Sequence, residues 1–170
     1  REKVITTNWQ NCFTSFANLK NRAIEKKYRM ETEAKPLLNY SVEEIDISTV
    51  SNTVMANKVT IPFSKAHTVT YDYDPDTKVY KRSSRGKIQV DRVTGQQYTA
   101  KNIIVYNVRN YPLNDEPGKG RQGIENVGSG TGYYITNGYA IPIKWSKPSR
   151  SERTVYTDEN GVEIKVNDGN

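Results

Sequence analysis

The chain has 170 residues and a formal net charge of +6, from 25 Lys and Arg against 19 Asp and Glu. Its hydrophobic fraction of 35% is below the globular average of roughly 45–50%, but 12 Tyr, 3 Phe and 2 Trp supply apolar bulk for a core. One cysteine excludes an internal disulfide and a thiol metal cluster, one histidine excludes a multi-histidine metal site, and no run approaches the ~18 apolar residues of a membrane-spanning helix.

The length fits one domain with a core of its own. The positive balance favours anionic partners without choosing among nucleic acid, phosphate polymer and acidic membrane surface, and it serves solubility equally well. The opening "REKVITTNWQ" lacks the apolar stretch of a signal peptide, and a start at Arg1 is that of a processed or excised piece.

In chain order, "TSFANLKNRAIEKKY" predicts a helix capped by Thr14 or Ser15. Phe16, Leu19, Ala23 and Ile24 share one face of it, and it ends near Lys27. Pro36 then breaks any continuation. From residue 42 the period shifts to two, with Ile45 and Ile47 alternating, followed by Val59, Ile61 and Phe63. Val69, Tyr71 and Tyr73 share the face of a further strand, and "KNIIVYNV" reads as a more buried one. Asn137-Gly138 inside "YYITNGYAIPIKW" predicts a two-residue hairpin with Trp145 buried near its far end. Asn160-Gly161 repeats the hairpin signal, and Thr94-Gly95 separates two short segments. With no alternating βα pattern, the fold class is α+β: one N-terminal helix, then a hairpin-rich, mainly antiparallel β domain. The expected division is a helix-containing segment over 1–40, the tail of an upstream domain or a linker, and a β-rich domain over 41–170. "LNDEPGKGRQG" and "SKPSRSER" are the expected loops.

Candidate sites are few. Asp72, Asp74 and Asp76 open like a calcium loop, but Thr77 stands where the sharp bend needs Gly and Ser83 where a bidentate Glu belongs. "DPDT" therefore reads as a turn between two strands. "GKGRQG" satisfies G-x-G-x-x-G without the strand before it or the helix after it, leaving at most an anion nest beside Lys119 and Arg121. His67 has no nucleophile signature near it, Cys12 beside Phe13 reads as a small core residue, and Glu43, Glu44 and Asp46 form an acid–base pair only if a cleft unites them. Tyr133, Tyr134, Tyr139 and Trp145 interleave with Lys144, Lys147 and Arg150, the make-up either of a stacking surface or of a hairpin's own core face.

"YDYDPDTKVYKR", "KNIIVYNV", "GRQGIENVGSGTGYYITNGYAIPIKWSK" and "NGVEIKVNDG", preceded by "FTSFANLKNRAIEKKYR" and "AKPLLNY", together resemble the C-terminal half of the YerB-like lipoproteins of Gram-positive bacteria, a family of unknown function. The matching residues are Tyr71, Tyr73, Asp74, Tyr80 and Arg82, then Gly120, Arg121, Gly128, Gly130, Gly132, Asn137, Gly138, Trp145 and Lys147. Gln10 stands where the family pattern has His, and that pattern continues beyond Gly169 into a Trp-containing strand. The resemblance implies a signal peptide, a lipidated cysteine other than Cys12 and a further domain upstream. It thus implies an extracytoplasmic location, anchored to the outer face of the cell membrane. The expected function is a binding or scaffold module recognising an envelope protein or cell-wall polymer. A cell-envelope hydrolase or transferase, its site completed by the upstream domain, is the alternative. No catalytic residue, cofactor or metal ligand is assigned. The candidate ligand-binding residues are Arg121, Tyr133, Trp145 and Lys147, nucleic acid is disfavoured, and membrane contact is expected only through the upstream anchor.

Overall fold

A computed structural model describes residues 2–3, 12–33, 35–114 and 120–170. The chain divides into two units, Arg1–Pro36 and Leu37–Asn170. In the first, β1 (Glu2–Lys3) pairs antiparallel with β2 (Cys12–Phe13). The helix α1 (Phe16–Glu25) follows, with Ser15 as its cap, the Ser15 hydroxyl accepting from Asn18 N at 3.2 Å. It stops where Lys27 turns to φ 55° and Tyr28 N bonds back to the Ala23 carbonyl, a left-handed close that no longer propagates the helix. Gln10 and the stretch from Asp115 to Lys119 of "LNDEPGKGRQG" lie outside the described residues.

The second unit is mainly β. Its first sheet runs β10 (Asn102–Tyr106), β13 (Gly128–Thr136), β14 (Tyr139–Lys147) and β15 (Val155–Thr157), with β4 (Val54–Met55) also on β14. Its second runs β5 (Lys58–Ser64), β6 (His67–Asp74), β7 (Val79–Ser84) and β8 (Lys87–Ile88), with β9 (Thr99–Ala100) also on β7. A two-stranded arm, β11 (Arg109–Pro112) and β12 (Gln122–Glu125), stands apart from both. Finally β16 (Val166–Asn167) pairs with β3 (Tyr40–Ser41), and this pair alone among the described ladders is parallel.

The first sheet is buried on both faces near the β13–β14 turn. Tyr134, Ile141 and Ile143 pack against Ile47 and Val166 on one face. On the other, Ile135, Ala140 and Ile103 meet Tyr80 and Ala56, with Val59, Tyr71 and Tyr73 of the second sheet beside them. Strand alternation makes this possible, because neighbours such as Tyr134 and Ile135 serve opposite cores.

Asn137 and Gly138 close the β13–β14 hairpin as two central residues with φ of 51° and 81°, so Thr136 faces Tyr139 directly. The turn is also wedged in place. The Tyr80 hydroxyl accepts from Gly138 N at 3.1 Å and donates to the Ala56 carbonyl at 3.1 Å, while Ala56 N donates to the Gly138 carbonyl at 2.7 Å. Burial pushes the Tyr80 phenol up to about 12. A Cβ on Gly138 would lie 2.9 Å from the Tyr73 ring. Gly138→Val is therefore expected to cost about 1–3 kcal/mol in denaturant unfolding, from a β-branched residue held at positive φ. An unchanged midpoint would refute the wedge.

Two expectations need correction. Residues 42–47 form no strand, although Ile45 and Ile47 point inward. The backbone of Ile45 pairs instead with a side chain: its N donates to Asn167 Oδ1 at 2.6 Å and its carbonyl accepts from Asn167 Nδ2 at 3.3 Å. The Asn160-Gly161 segment is a wider turn than a two-residue hairpin. Asp158 organises it, its Oδ1 accepting from Asn160 N at 2.9 Å and Val162 N at 2.8 Å, and only one bridge, Thr157 to Glu163, follows. Asp91 organises the Thr94-Gly95 turn in the same way, accepting from Val93 N and Thr94 N.

Candidate surface at the foot of the two-stranded arm

The acidic knot is a turn. Asp74 opposes Val79, Pro75 to Lys78 form the bend, and Asp74 Oδ1 accepts from Asp76 N at 3.1 Å. Lys81 at 2.5 Å and then Thr77 hold the Asp74 carboxyl down to about 2. Asp72, two residues earlier on the same face of β6, pairs with Lys58 at 3.1 Å. Among the described residues no three of His, Cys, Asp and Glu converge as metal ligands would.

Nor do Glu44 and Asp46 make an acid–base pair, since both carboxyls are lowered. Hydrogen bonds from Lys78 at 2.9 Å and Lys101 at 3.0 Å hold Glu44 down to about 2. Asp46 is lowered by its bonding to Ser48. General acid–base work needs one group whose affinity for protons is raised. The Glu44 cluster is structural: Lys101 Nζ also reaches Asn137 Oδ1 at 2.6 Å, and Asn137 Nδ2 donates back to Glu44 at 3.1 Å, fixing the turn tip. His67 sits with its Nδ1 3.4 Å from an Arg85 nitrogen and its ring edge-on to Phe63.

The four candidate ligand-binding residues do not share a surface. Trp145 is buried at 4% exposure, its Nε1 donating to the Asn107 carbonyl at 3.1 Å and its ring 5.3 Å from that of Tyr106. It is a core residue with no free face to offer. Tyr133 opposes Pro142 in the ladder and so lies on the other side of the sheet from Trp145. There it is 51% exposed, beside a small hollow shared with Asn107, Thr131, Lys144 and Glu159. Arg121 is exposed just ahead of β12, its carbonyl accepting from Leu113 N at 2.9 Å. Lys147 donates its Nζ to the Glu152 carbonyl and so ties down the loop that follows β14.

Lys147 and Arg150 line an open groove with Tyr111, Ile124, Val127 and Glu125 at the foot of the β11–β12 arm. Arg109 completes the arm's outer side, paired with Glu125 at 3.2 Å and with its guanidinium 5.9 Å from the Tyr111 ring centre. Tyr111, Ile124 and Val127 all line it and are exposed, Tyr111 and Ile124 from opposite faces of the ladder. Sequence reading missed Tyr111. The available signal was Gly123, its cross-strand partner: a Cβ on Gly123 would lie 2.4 Å from the Tyr111 ring, which covers the bare backbone of the facing strand. Gly130 under Trp145 repeats the pairing.

Comparison with known proteins bears on the fold and the family. The C-terminal domain of the protein of unknown function family DUF3048 matches residues 59–170. The Bacillus subtilis (strain 168) protein named "Putative lipoprotein YerB" is 28% identical over 137 residues, 81% of this chain and 40% of the relative. The crystal structure of the YerB protein from Bacillus subtilis superposes with a TM-score of 0.70 at 23% identity, covering 98% of this chain and 52% of that one. The chain thus spans about half or less of the relative's length. Two thirds of the sequence, including both sheets apart from β4 and the first residue of β5, the arm and the Asn-Gly turn, fall within the matched region, and the chain belongs to the DUF3048 family through its C-terminal domain.

Proposed function

We propose that this domain is a non-enzymatic binding module of a lipoprotein held at the outer face of the cell membrane, and that the groove at the foot of the β11–β12 arm receives an acidic, partly apolar segment of another envelope protein. The observation that carries this reading is the groove lined by exposed Tyr111, Ile124 and Val127 together with Lys147 and Arg150. Apolar residues with aromatic and cationic neighbours on an open surface are the composition of a protein-binding patch rather than of a solvated face. The name of the Bacillus relative supports the location.

The test is binding of the isolated chain to peptides alternating Asp or Glu with apolar residues, and in parallel to an anionic wall polymer. Replacing Lys147 and Arg150, which line the groove, by Ala is expected to weaken peptide binding about tenfold or more, and added salt to weaken it further. Preference for the wall polymer would reassign the partner. Unchanged binding with a lowered melting temperature would make Lys147 a clamp on its own loop and overturn the reading.

A further inference from the structure

The second sheet is polarised from end to end. Its carboxylates, Asp72, Asp74 and Asp76, gather at the β6–β7 turn. At the opposite end, the β5–β6 and β7–β8 turns lie side by side: Arg85 N donates to the Thr68 carbonyl at 2.9 Å, and the Arg85 guanidinium meets His67. No Asp or Glu occurs between Ile47 and Tyr71 or between Thr77 and Val90, so Lys65, Arg85 and Lys87 at these turns have no acidic neighbour in either segment. The same end exposes Phe63 at 68% and Ile88 at 67%. Phe63 lies where the β5–β6 register slips between Pro62 and Ser64, and its ring touches only the edge of His67 among the described aromatic contacts.

We infer that this end of the second sheet is a membrane-contact tip, at which Lys65, Arg85 and Lys87 engage the headgroups of an anionic bilayer while Phe63 and Ile88 enter the headgroup–acyl boundary. Charge complementarity selects this occupant. Three cations with no acidic residue in the segments that carry them face a surface dense in phosphates, and two isolated apolar side chains on the strands beside these turns suit shallow insertion better than a protein groove, which needs a contiguous apolar wall. The surface lies on a different sheet from the arm and its groove, so it stands independently of the partner proposed above. It widens the expectation that membrane contact runs through an upstream anchor alone.

The experiment is co-sedimentation of the whole chain with vesicles of phosphatidylglycerol and phosphatidylcholine, against vesicles of phosphatidylcholine alone. Binding is expected to the anionic vesicles and to fall with salt. Each cation near an anionic surface is worth about fivefold in partitioning, so K65E, R85E and K87E together are expected to reduce it by about a hundredfold or more. Phe63→Ser with Ile88→Ser should reduce binding without altering the melting temperature, because both side chains are exposed. Phe63→Trp should give a blue-shifted emission on anionic vesicles only. Arg150→Ala, which belongs to the groove, should leave vesicle binding unchanged. Absence of binding to anionic vesicles, equal binding to neutral ones, or indifference to the charge reversals would each overturn the inference.

Discussion

Asn167→Ala is expected to lower the unfolding free energy by about 3 kcal/mol or more, the largest effect of any single side-chain truncation outside the apolar core. Asn167 is 1% exposed, and every polar atom of its side chain is engaged. Its Oδ1 takes Ile45 N, and its Nδ2 serves both the Ile45 carbonyl and Thr136 Oγ1, the latter at 2.9 Å. Its backbone N donates to the Tyr134 hydroxyl at 3.1 Å, and its carbonyl accepts from Asn102 Nδ2 at 2.9 Å. Truncation leaves the part-buried Ile45 N without this acceptor, which costs more than the loss of an exposed hydrogen bond. Urea unfolding of the variant beside Asn102→Ala would test it. A loss below about 1 kcal/mol would show that water replaces the amide without penalty.

Gly132→Ala is expected to destabilise by about 3 kcal/mol, at the upper end for an added methyl group, because the obstacle is backbone. A Cβ there would stand 2.3 Å from the Val105 carbonyl oxygen and 2.8 Å from Tyr106 Cα. No rotamer change relieves such an overlap, so β10 must move away from β13. Gly130→Ala provides the graded comparison: its Cβ would meet the Trp145 indole nitrogen at 2.6 Å, a side chain able to give, at the expense of its bond to Asn107. Equal melting temperatures for Gly132→Ala and the parent would contradict the β10–β13 register.

What the sequence made legible was local. Ser15, with Phe16 and Leu19, marked the helix, Asn137-Gly138 carried its own backbone geometry, and Asp74-Pro75 could only bend. What it hid was parity and distance. Tyr133 and Trp145 looked like one aromatic surface, but the ladder puts them on opposite faces, and nothing in their spacing from other strands reveals which face is covered. Ile45 and Ile47 alternated as a strand would, yet their partner was the amide of a residue 122 positions later, a substitution of side chain for strand that no period can announce. The exposed Tyr111 fell between the strand read in "KNIIVYNV" and the loop read in "LNDEPGKGRQG", in a stretch assigned to neither.

The parallel pairing of Val166–Asn167 with Tyr40–Ser41 has a consequence for the order in which the chain can become native. A polypeptide made from its N-terminus holds residues 40–47 without Val166 and Asn167 until residue 167 has left the ribosome. Through that interval Ile47 has no Val166 to pack on and the Ile45 backbone stays bonded to water. Closing a loop of this span comes late, since its entropy must be met before its contacts contribute. Until then the hairpins of both sheets can form from local contacts, but the core face that Ile47 and Val166 share stays incomplete.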